Sequence, residues 1–530
     1  MRKICLLIGC FICSFSVGAQ SPGSSETRKL TASLYAVTSL YVDTVDVSKL
    51  VEDAITGMLA ELDPHSNYLT PDEVKEMNEP LQGNFEGIGI QFNMLTDTLY
   101  VVQVIPGGPS EKVGLRAGDR VITVNDSVIA GVKMKNSDIM KRLRGKSGST
   151  VRVGIQRKGV DGLVEFKIIR GKIPINSLDV AYMVDKEIGY IKLNRFGATT
   201  HQEFADAFEK LKKEGMKSLI LDLQSNGGGY MNAAIDLAND FLKKGELIVY
   251  TEARSVKQDN TLSESKGLFE KGELVVLIDE YSASASEIVS GAIQDWDRGV
   301  LVGRRSFGKG LVQRPIPLPD GSMLKLTTAR YYTPTGRCIQ KPYVKGDKEG
   351  YEHEMSDRRE RGEMVNADSI VFADSLKYYT LKNKRLVYGG GGIMPDVFVP
   401  IDTAKYTAYH RDLVAKGAII RITMNYVDEK RTELKAQYPT FDAFRQLFVV
   451  EQQVFDELLK IAEEEAIEFK PEQFELSKGL ISLQMKALIG RDLFDMQSYY
   501  KVINEENDEL KKAVEILKTP PLYKEILEKK

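Results

Sequence analysis

The sequence predicts a multidomain α/β protein, and three observations carry that prediction. At 530 residues the chain is too long for one hydrophobic core, so three or four compact units are expected. Residues 172–400 alternate apolar runs with amphipathic helical stretches, the pattern of a layered α/β core. On either side the periodicity changes, to short strands punctuated by glycine and proline turns over 83–171 and to helical spacing over 20–82 and 401–530.

The first residues read as an export signal. Arg2 and Lys3 precede the apolar stretch Ile4 to Val17, and Val17-Gly18-Ala19 is a small-residue cleavage site. Residues 1–19 are therefore assigned as a signal peptide, with the mature chain in the periplasm or cell envelope. Lipid attachment at Cys10 is the weaker alternative, because the apolar stretch ahead of it is short. Removing the signal removes Cys5, Cys10 and Cys13, leaving Cys338 without an internal disulfide partner. No later segment has the roughly 20 apolar residues that a membrane-spanning helix needs. Lysine plus arginine count 72 against 75 acidic residues, a balance that gives no reason to expect a nucleic-acid partner.

In residues 20–82, Leu34, Val37 and Leu40, then Val51, Ile55, Met58, Leu59 and Leu62, have helical spacing, interrupted at Asp43 to Asp46 and closed by Leu62-Asp63-Pro64. Residues 83–171 hold β-rich runs such as Leu99 to Ile105, Arg120 to Val124 and Thr150 to Ile155, with one helix near Ser137 to Leu143. Within 172–400, strands are predicted at Ile188 to Leu193, Ser218 to Leu223 and Leu274 to Ile278. Helices are predicted at Gln202 to Lys213, Met231 to Lys243 and Ser286 to Trp296. Arg254 to Lys271 reads as a long polar loop, and the charged segment 345–385 as an insert. From 401 onward, Phe455, Leu458, Leu459 and Ile461, then Leu510, Val514 and Leu517, give each helix one buried face. These amphipathic ends leave room for a homo-oligomer.

Three clusters carry chemistry. Ser284 lies at a strand-to-helix junction, after the doubly apolar run Leu274 to Ile278 and before the stripe Ile288, Val289, Ala292, Ile293, Trp296. There the unpaired amides of a helix's first turn can stabilise an oxyanion, although serine is also an ordinary N-cap. Lys309 stands between two glycines, with Phe307, Leu311 and Val312 to desolvate it, and no histidine lies nearby in sequence. A lysine base at neutral pH needs its pKa brought from about 10.4 toward 7 or 8 by burial. Gln313, four residues on, reads either as the third member of a triad that orients the amine or as an ordinary strand glutamine. The run Leu221-Asp-Leu-Gln-Ser-Asn-Gly-Gly-Gly229 exposes backbone amides suited to an oxyanion hole or a phosphate cradle, but lacks the lysine and hydroxyl of a P-loop. Glu287 suits the positive end of a helix, and Asp295 reads as structural.

These residues resemble the tail-specific, or C-terminal processing, peptidases over about 30–400. The resemblance is carried by Leu62-Asp-Pro-His-Ser66, Leu221-Asp-Leu-Gln-Ser-Asn-Gly-Gly228, Ser282-Ala-Ser-Ala-Ser-Glu287, Phe307-Gly-Lys-Gly-Leu-Val-Gln313, Thr328-Ala-Arg-Tyr-Tyr-Thr-Pro-Thr-Gly-Arg337 and Gly392-Ile-Met-Pro-Asp396. It implies a crotonase/ClpP-like protease core with an inserted PDZ domain, an N-terminal helical unit and a C-terminal helical region. It further implies Ser284 as nucleophile, Lys309 as general base, Gln313 as orienting residue, Gly228 and Ala285 as oxyanion donors, and Asp295 as a charge-relay candidate. Gly87, Ile88, Gly89 and Ile90 would hold a substrate's terminal carboxylate, with Ile88 and Ile90 lining the side-chain pocket, although at least one of the two isoleucines is expected in the unit's own core. The expectation is an exported serine endopeptidase that needs no cofactor or metal and acts on proteins or peptides with accessible C-termini. A noncatalytic periplasmic PDZ scaffold and a crotonase-type acyl-CoA enzyme are the alternatives.

Overall fold

The computed structural model describes residues 24–95 and 97–529. The signal peptide and Cys10 lie outside the described residues. Asp46 ends the interruption between helices α1 (Ser24–Leu40) and α2 (Val47–Ala60), its side chain accepting from the Lys49 N–H at 3.1 Å. Both helices leave apolar side chains in solvent, among them Tyr35 and Leu40. Strand β1 (Asn67–Leu69) and helix α3 (Pro71–Gln82) follow, the helix opened by a Thr70–Glu73 capping box with Pro71 at its first position. The helical spacing gives no sign of β1, which pairs with a strand more than 250 residues later.

Residues 84–174 form a small sheet unit carried on a two-stranded stalk. The stalk pairs β2 (Asn84–Gly87) with the returning β9 (Gly171–Pro174). Between them run β3 (Ile90–Leu95), β4 (Thr98–Val104), α4 (Pro109–Val113), β5 (Arg120–Val124), β6 (Ser127–Val128), α5 (Asn136–Leu143), β7 (Thr150–Gln156) and β8 (Leu163–Ile169). The sheet order is β3-β4-β5-β7-β8, so β3 is an edge strand. Its core gathers Ile88, Leu99, Val101, Val121, Ile139, Val151, Val153 and Ile168.

The main sheet has the order β10-β11-β12-β15-β16-β21. It is built from β10 (Leu178–Met183), β11 (Ile188–Leu193), β12 (Ser218–Asp222), β15 (Leu274–Ile278), β16 (Val300–Gly303) and β21 (Val397–Phe398). Apart from the antiparallel edge strand β10, neighbouring strands run parallel. Helices α6 (Thr200–Lys213), α7 (Met231–Asn239) and α8 (Ala285–Asp295) cover one face, where Leu274, Val276 and Ile278 point. Val275 and Leu277 point to the other face, against the chain's last two helices. This double coverage is why β15 is apolar at every position.

A second sheet, β1-β18-β13-β14 with β17 on β18, includes β13 (Leu247–Ala253), β14 (Asp259–Leu262), β17 (Leu311–Pro317) and β18 (Met323–Tyr332). The expected polar loop over 254–271 thus contains strand β14, and α7 stops at Asn239 instead of running to Lys243. The charged segment 345–385 holds α9 (Lys348–Glu360) and precedes the hairpin strand β20 (Leu386–Tyr388), which pairs with β19 (Lys377–Tyr379). Its Tyr351 and Arg358 are buried, and Arg358 donates to the carbonyls of Arg305 and Ser306.

The C-terminal region divides in two. Helices α10 (Ala408–Ala415), α11 (Ala418–Gln437), α12 (Phe441–Leu447), α13 (Gln452–Glu464) and α14 (Pro471–Leu493) share one apolar core. Helix α11 lies against the 84–174 unit, with Met424 packed on Tyr100 and Val102 and Asp428 paired with Arg120 at 2.5 Å. After α15 (Met496–Ile503), helices α16 (Asp508–Lys518) and α17 (Pro520–Glu528) close the second face of the main sheet through Leu510, Ala513, Ile516, Leu517 and Tyr523. The spacing of Leu510, Val514 and Leu517 gives the helix, but not this destination.

Candidate active site

Strands β12, β15 and β16 are parallel neighbours, so the segments that leave their C-terminal ends converge. These segments are the glycine turn 223–229, the serine turn 279–287 and the lysine loop 303–310. Asn226 joins the first two: its carbonyl accepts from the Ala283 N–H at 3.0 Å and from the Ser286 hydroxyl at 2.9 Å. Ser282 joins all three, donating its hydroxyl to the Leu223 carbonyl and accepting the Phe307 N–H on its own carbonyl.

Ser284 caps α8 with φ 56° and ψ −110°, a conformation that costs a non-glycine residue about 1–3 kcal/mol. This sharp turn sets the residue at the start of the helix, where the Ala285 N–H, first in the helix, has no intrahelical acceptor. Gly228 packs on the turn so closely that a Cβ there would sit 2.9 Å from Ser284 Cβ and 3.0 Å from the Ala285 nitrogen. Its φ of +97° suits glycine alone. Both expected oxyanion residues therefore meet at Ser284, but the Gly228 N–H already donates to Asn226 Oδ1 at 2.9 Å. Among the described residues the Ala285 N–H finds no acceptor, and Gly228 supplies space more than a hydrogen bond.

Burial holds Lys309 down to about 8, helped by the like charge of Lys325 and opposed by Glu287 and Asp63. Its main chain is fixed to the serine turn. Glu287 Oε2 accepts the N–H of Ser284 at 2.8 Å and that of Lys309 at 2.9 Å, which puts these nitrogens less than about 6 Å apart. Glu287 Oε1 accepts from the Ser306 hydroxyl at 2.6 Å and the Gly308 N–H at 2.7 Å. Burial pushes the Glu287 carboxyl up, while these four donors pull the other way.

Two expectations meet corrections. Gln313 Nε2 donates to the Leu311 carbonyl at 3.1 Å and to Thr327 Oγ1 at 3.3 Å, and among the described residues no hydrogen bond joins it to Lys309. The reason is the register of β17 on β18, which sets Gln313 opposite Thr327. Asp295 sits at the far end of α8, roughly 16 Å along the helix from Ser284 at about 1.5 Å per residue. It is fully buried in an ion pair with Arg337 and accepts from the N–H and hydroxyl of Thr335, so it holds the Thr333 to Arg337 turn, a structural place that agrees with the reading of its residue type and not with the relay role the resemblance implies.

Residues without an expected role also reach the site. Strand β1 pairs with β18, and the segment just before it brings Asp63 and His65 within electrostatic reach of Lys309. Asp63 accepts from the hydroxyls of Ser66 and Thr327, and His65 Nε2 meets the Tyr351 hydroxyl at 2.9 Å. Burial and the Lys309 charge bring His65 down to about 4, so the one histidine near Lys309 stays neutral at working pH. The motif containing these residues was visible in the sequence, but the pairing that gives it a place is a long-range event.

In the 84–174 unit, Gly89 has φ +77°, and a Cβ there would lie 3.0 Å from Ile173 Cδ1. The Gly87 to Ile90 turn leads into the edge strand β3, as a carboxylate loop requires. Ile88, however, is 3% exposed and belongs to the unit's own core, so it cannot line an open pocket; Ile90 is half-buried and remains available.

Comparison with known proteins matches this architecture. Family profiles match Peptidase family S41 over residues 187–349, the PDZ domain over 87–168, the activating protease CtpB N-terminal domain over 15–73, and a family of unknown function over 409–495. A carboxy-terminal-processing protease of Bartonella bacilliformis is 38% identical over 57% of this chain and 70% of its own length. The carboxy-terminal processing protease CtpA of Bacillus subtilis is 35% identical over 61% of this chain and 69% of its own. Among solved structures, the photosystem II D1 C-terminal processing protease is 30% identical over 60% of this chain and 91% of that one, with a TM-score of 0.34. The family profiles and the two sequence relatives define a serine-type peptidase with a PDZ domain and an N-terminal CtpB-like unit, and the C-terminal region is helical. The chain belongs to the carboxy-terminal-processing protease family, peptidase family S41.

Proposed function

We propose that the protein is an exported endopeptidase that hydrolyses peptide bonds with a Ser284–Lys309 dyad and captures substrates by their C-terminal tails. The observation that carries this reading is one carboxylate, Glu287, accepting the main-chain N–H of both a strained serine and a lysine whose amine burial brings to about 8. Ser284 Oγ attacks the carbonyl carbon while the neutral Lys309 amine takes its proton. The Ala285 N–H stabilises the oxyanion, and the Lys309 ammonium then gives its proton to the leaving amine. Water, deprotonated by the same lysine, hydrolyses the ester and frees the serine.

Tail capture is assigned to the PDZ unit. Strand β3 pairs with β4 on one edge only among the described residues, so an extended tail can add to the other, with its carboxylate at the Gly87 to Gly89 amides and its last side chain beside Ile90. Ser284→Ala and Lys309→Ala are each expected to abolish turnover of an unstructured polypeptide while the circular dichroism spectrum stays unchanged. Undiminished hydrolysis in either purified variant would overturn the assignment.

A further inference from the structure

A capping box at the start of α8 requires only one arm of Glu287, the one that takes the Ser284 N–H. The other three donors to this carboxylate, the Ser306 hydroxyl and the N–H groups of Gly308 and Lys309, come from the lysine loop, about twenty residues on. Tyr331, on β18, mirrors this on the carbonyl side. Its hydroxyl lies 3.1 Å from the Ser284 carbonyl oxygen and is hydrogen-bonded to that of Lys309, and its own N–H is tied to the Gly310 carbonyl at 3.0 Å. Glu287 is fully buried and Tyr331 is 2% exposed. One side chain therefore grips the amides of both Ser284 and Lys309, and the other meets their carbonyls.

We propose that Glu287 and Tyr331 are positioning residues that act as one clamp, fixing the strained serine turn against the lysine loop so that nucleophile and base meet. The inference rests on the Ser284–Lys309 reading. A serine at φ 56° and a loop built on Gly308 at φ +91° lie outside the strands of both sheets, and beside the clamp the Phe307 N–H to Ser282 carbonyl bond ties the two. There is no slack, since a Cβ on Gly308 would lie 3.0 Å from the Gly392 nitrogen. Glu287 has a second effect through its charge, which favours the protonated amine of Lys309; the other charged groups facing that amine are Asp63 and Lys325, and His65 beside it is neutral.

The test compares the full-length protein with Glu287→Gln and Tyr331→Phe, after circular dichroism and thermal melting have established the folded fraction of each. Glutamine keeps the shape but turns an amide group toward donors, and phenylalanine removes one oxygen from an otherwise intact core ring. The expected result is a fall in kcat per folded molecule of about 100-fold for Glu287→Gln and about tenfold for Tyr331→Phe, with KM within about twofold. The acid limb of the pH–rate profile should move to lower pH in Glu287→Gln and stay in place in Tyr331→Phe. Wild-type kcat in folded Tyr331→Phe, a loss wholly in KM, or an unmoved acid limb in a folded Glu287→Gln overturns the clamp. If Glu287→Gln does not fold, Tyr331→Phe decides alone. An active Ser284→Ala variant removes the dyad itself, whereas an inactive one beside fully active clamp variants removes only the clamp.

Discussion

The pH dependence of hydrolysis is the sharpest consequence of the site. With Lys309 near 8 rather than its ordinary 10.5, about 9% of the amine is neutral at pH 7, against roughly 0.03% for an exposed lysine. Burial thus enlarges the population of competent base about 300-fold at pH 7. The neutral fraction is about 1% at pH 6 and half at pH 8, so kcat/KM should rise close to tenfold from pH 6 to 7, about fivefold from 7 to 8, and less than twofold beyond. The perturbation is Lys325→Met. It removes the like charge that helps hold Lys309 down, so the limb should move to higher pH and activity at pH 7 should drop without loss of the plateau. The assay is initial-rate cleavage of an unstructured polypeptide from pH 6 to 9.5, with folding followed across the same range. A flat profile, or a limb near 10.5, refutes the lysine base. A limb near 6.5 would implicate a histidine, which His65 near 4 cannot supply.

Other consequences concern stability and binding. Because the folded state lowers Lys309 from 10.5 to about 8, it resists the proton; the penalty is complete below about 8 and disappears as pH rises to 10.5. Lys309→Met should therefore abolish turnover yet raise the melting temperature at pH 7, the relieved penalty being worth up to about 3 kcal/mol, with the gain shrinking at pH 10. Asp295→Asn leaves the buried Arg337 charge with one ionic partner fewer and should destabilise the core by about 3–5 kcal/mol, while kcat per folded molecule holds; a selective loss of kcat would restore the relay role. A peptide with a free C-terminal carboxylate should bind the inactive Ser284→Ala protein at least about tenfold more tightly than its amide, by fluorescence anisotropy, and equal affinities would exclude carboxylate capture by the PDZ unit.

Local chemistry made much of the protein legible before folding. An unbroken five-residue apolar run such as Leu274 to Ile278 suits a strand covered on both faces, and the stripe from Ile288 to Trp296 suits a helix with one buried side, and both form. A lone lysine between glycines near a serine at a helix start carries its own chemical logic. These features depend on neighbours within a turn or a strand, so spacing reveals them.

What lay beyond sequence reading depends on contacts between distant segments. Nothing within ten residues of Asp63 or His65 shows that β1 will pair with β18 and set them beside Lys309. Gln313 was read from its distance to Lys309 along the chain, yet strand register turned its amide to Thr327. Asp295 was a neighbour of Ser284 in sequence, but one helix of eleven residues carried it to the opposite end and into the grip of Arg337. Side-chain type and periodicity are local, so they mark the residues able to do chemistry and the faces that must be buried. Which of those residues share one site follows from parallel strand order and long-range pairing, because these choose the neighbours.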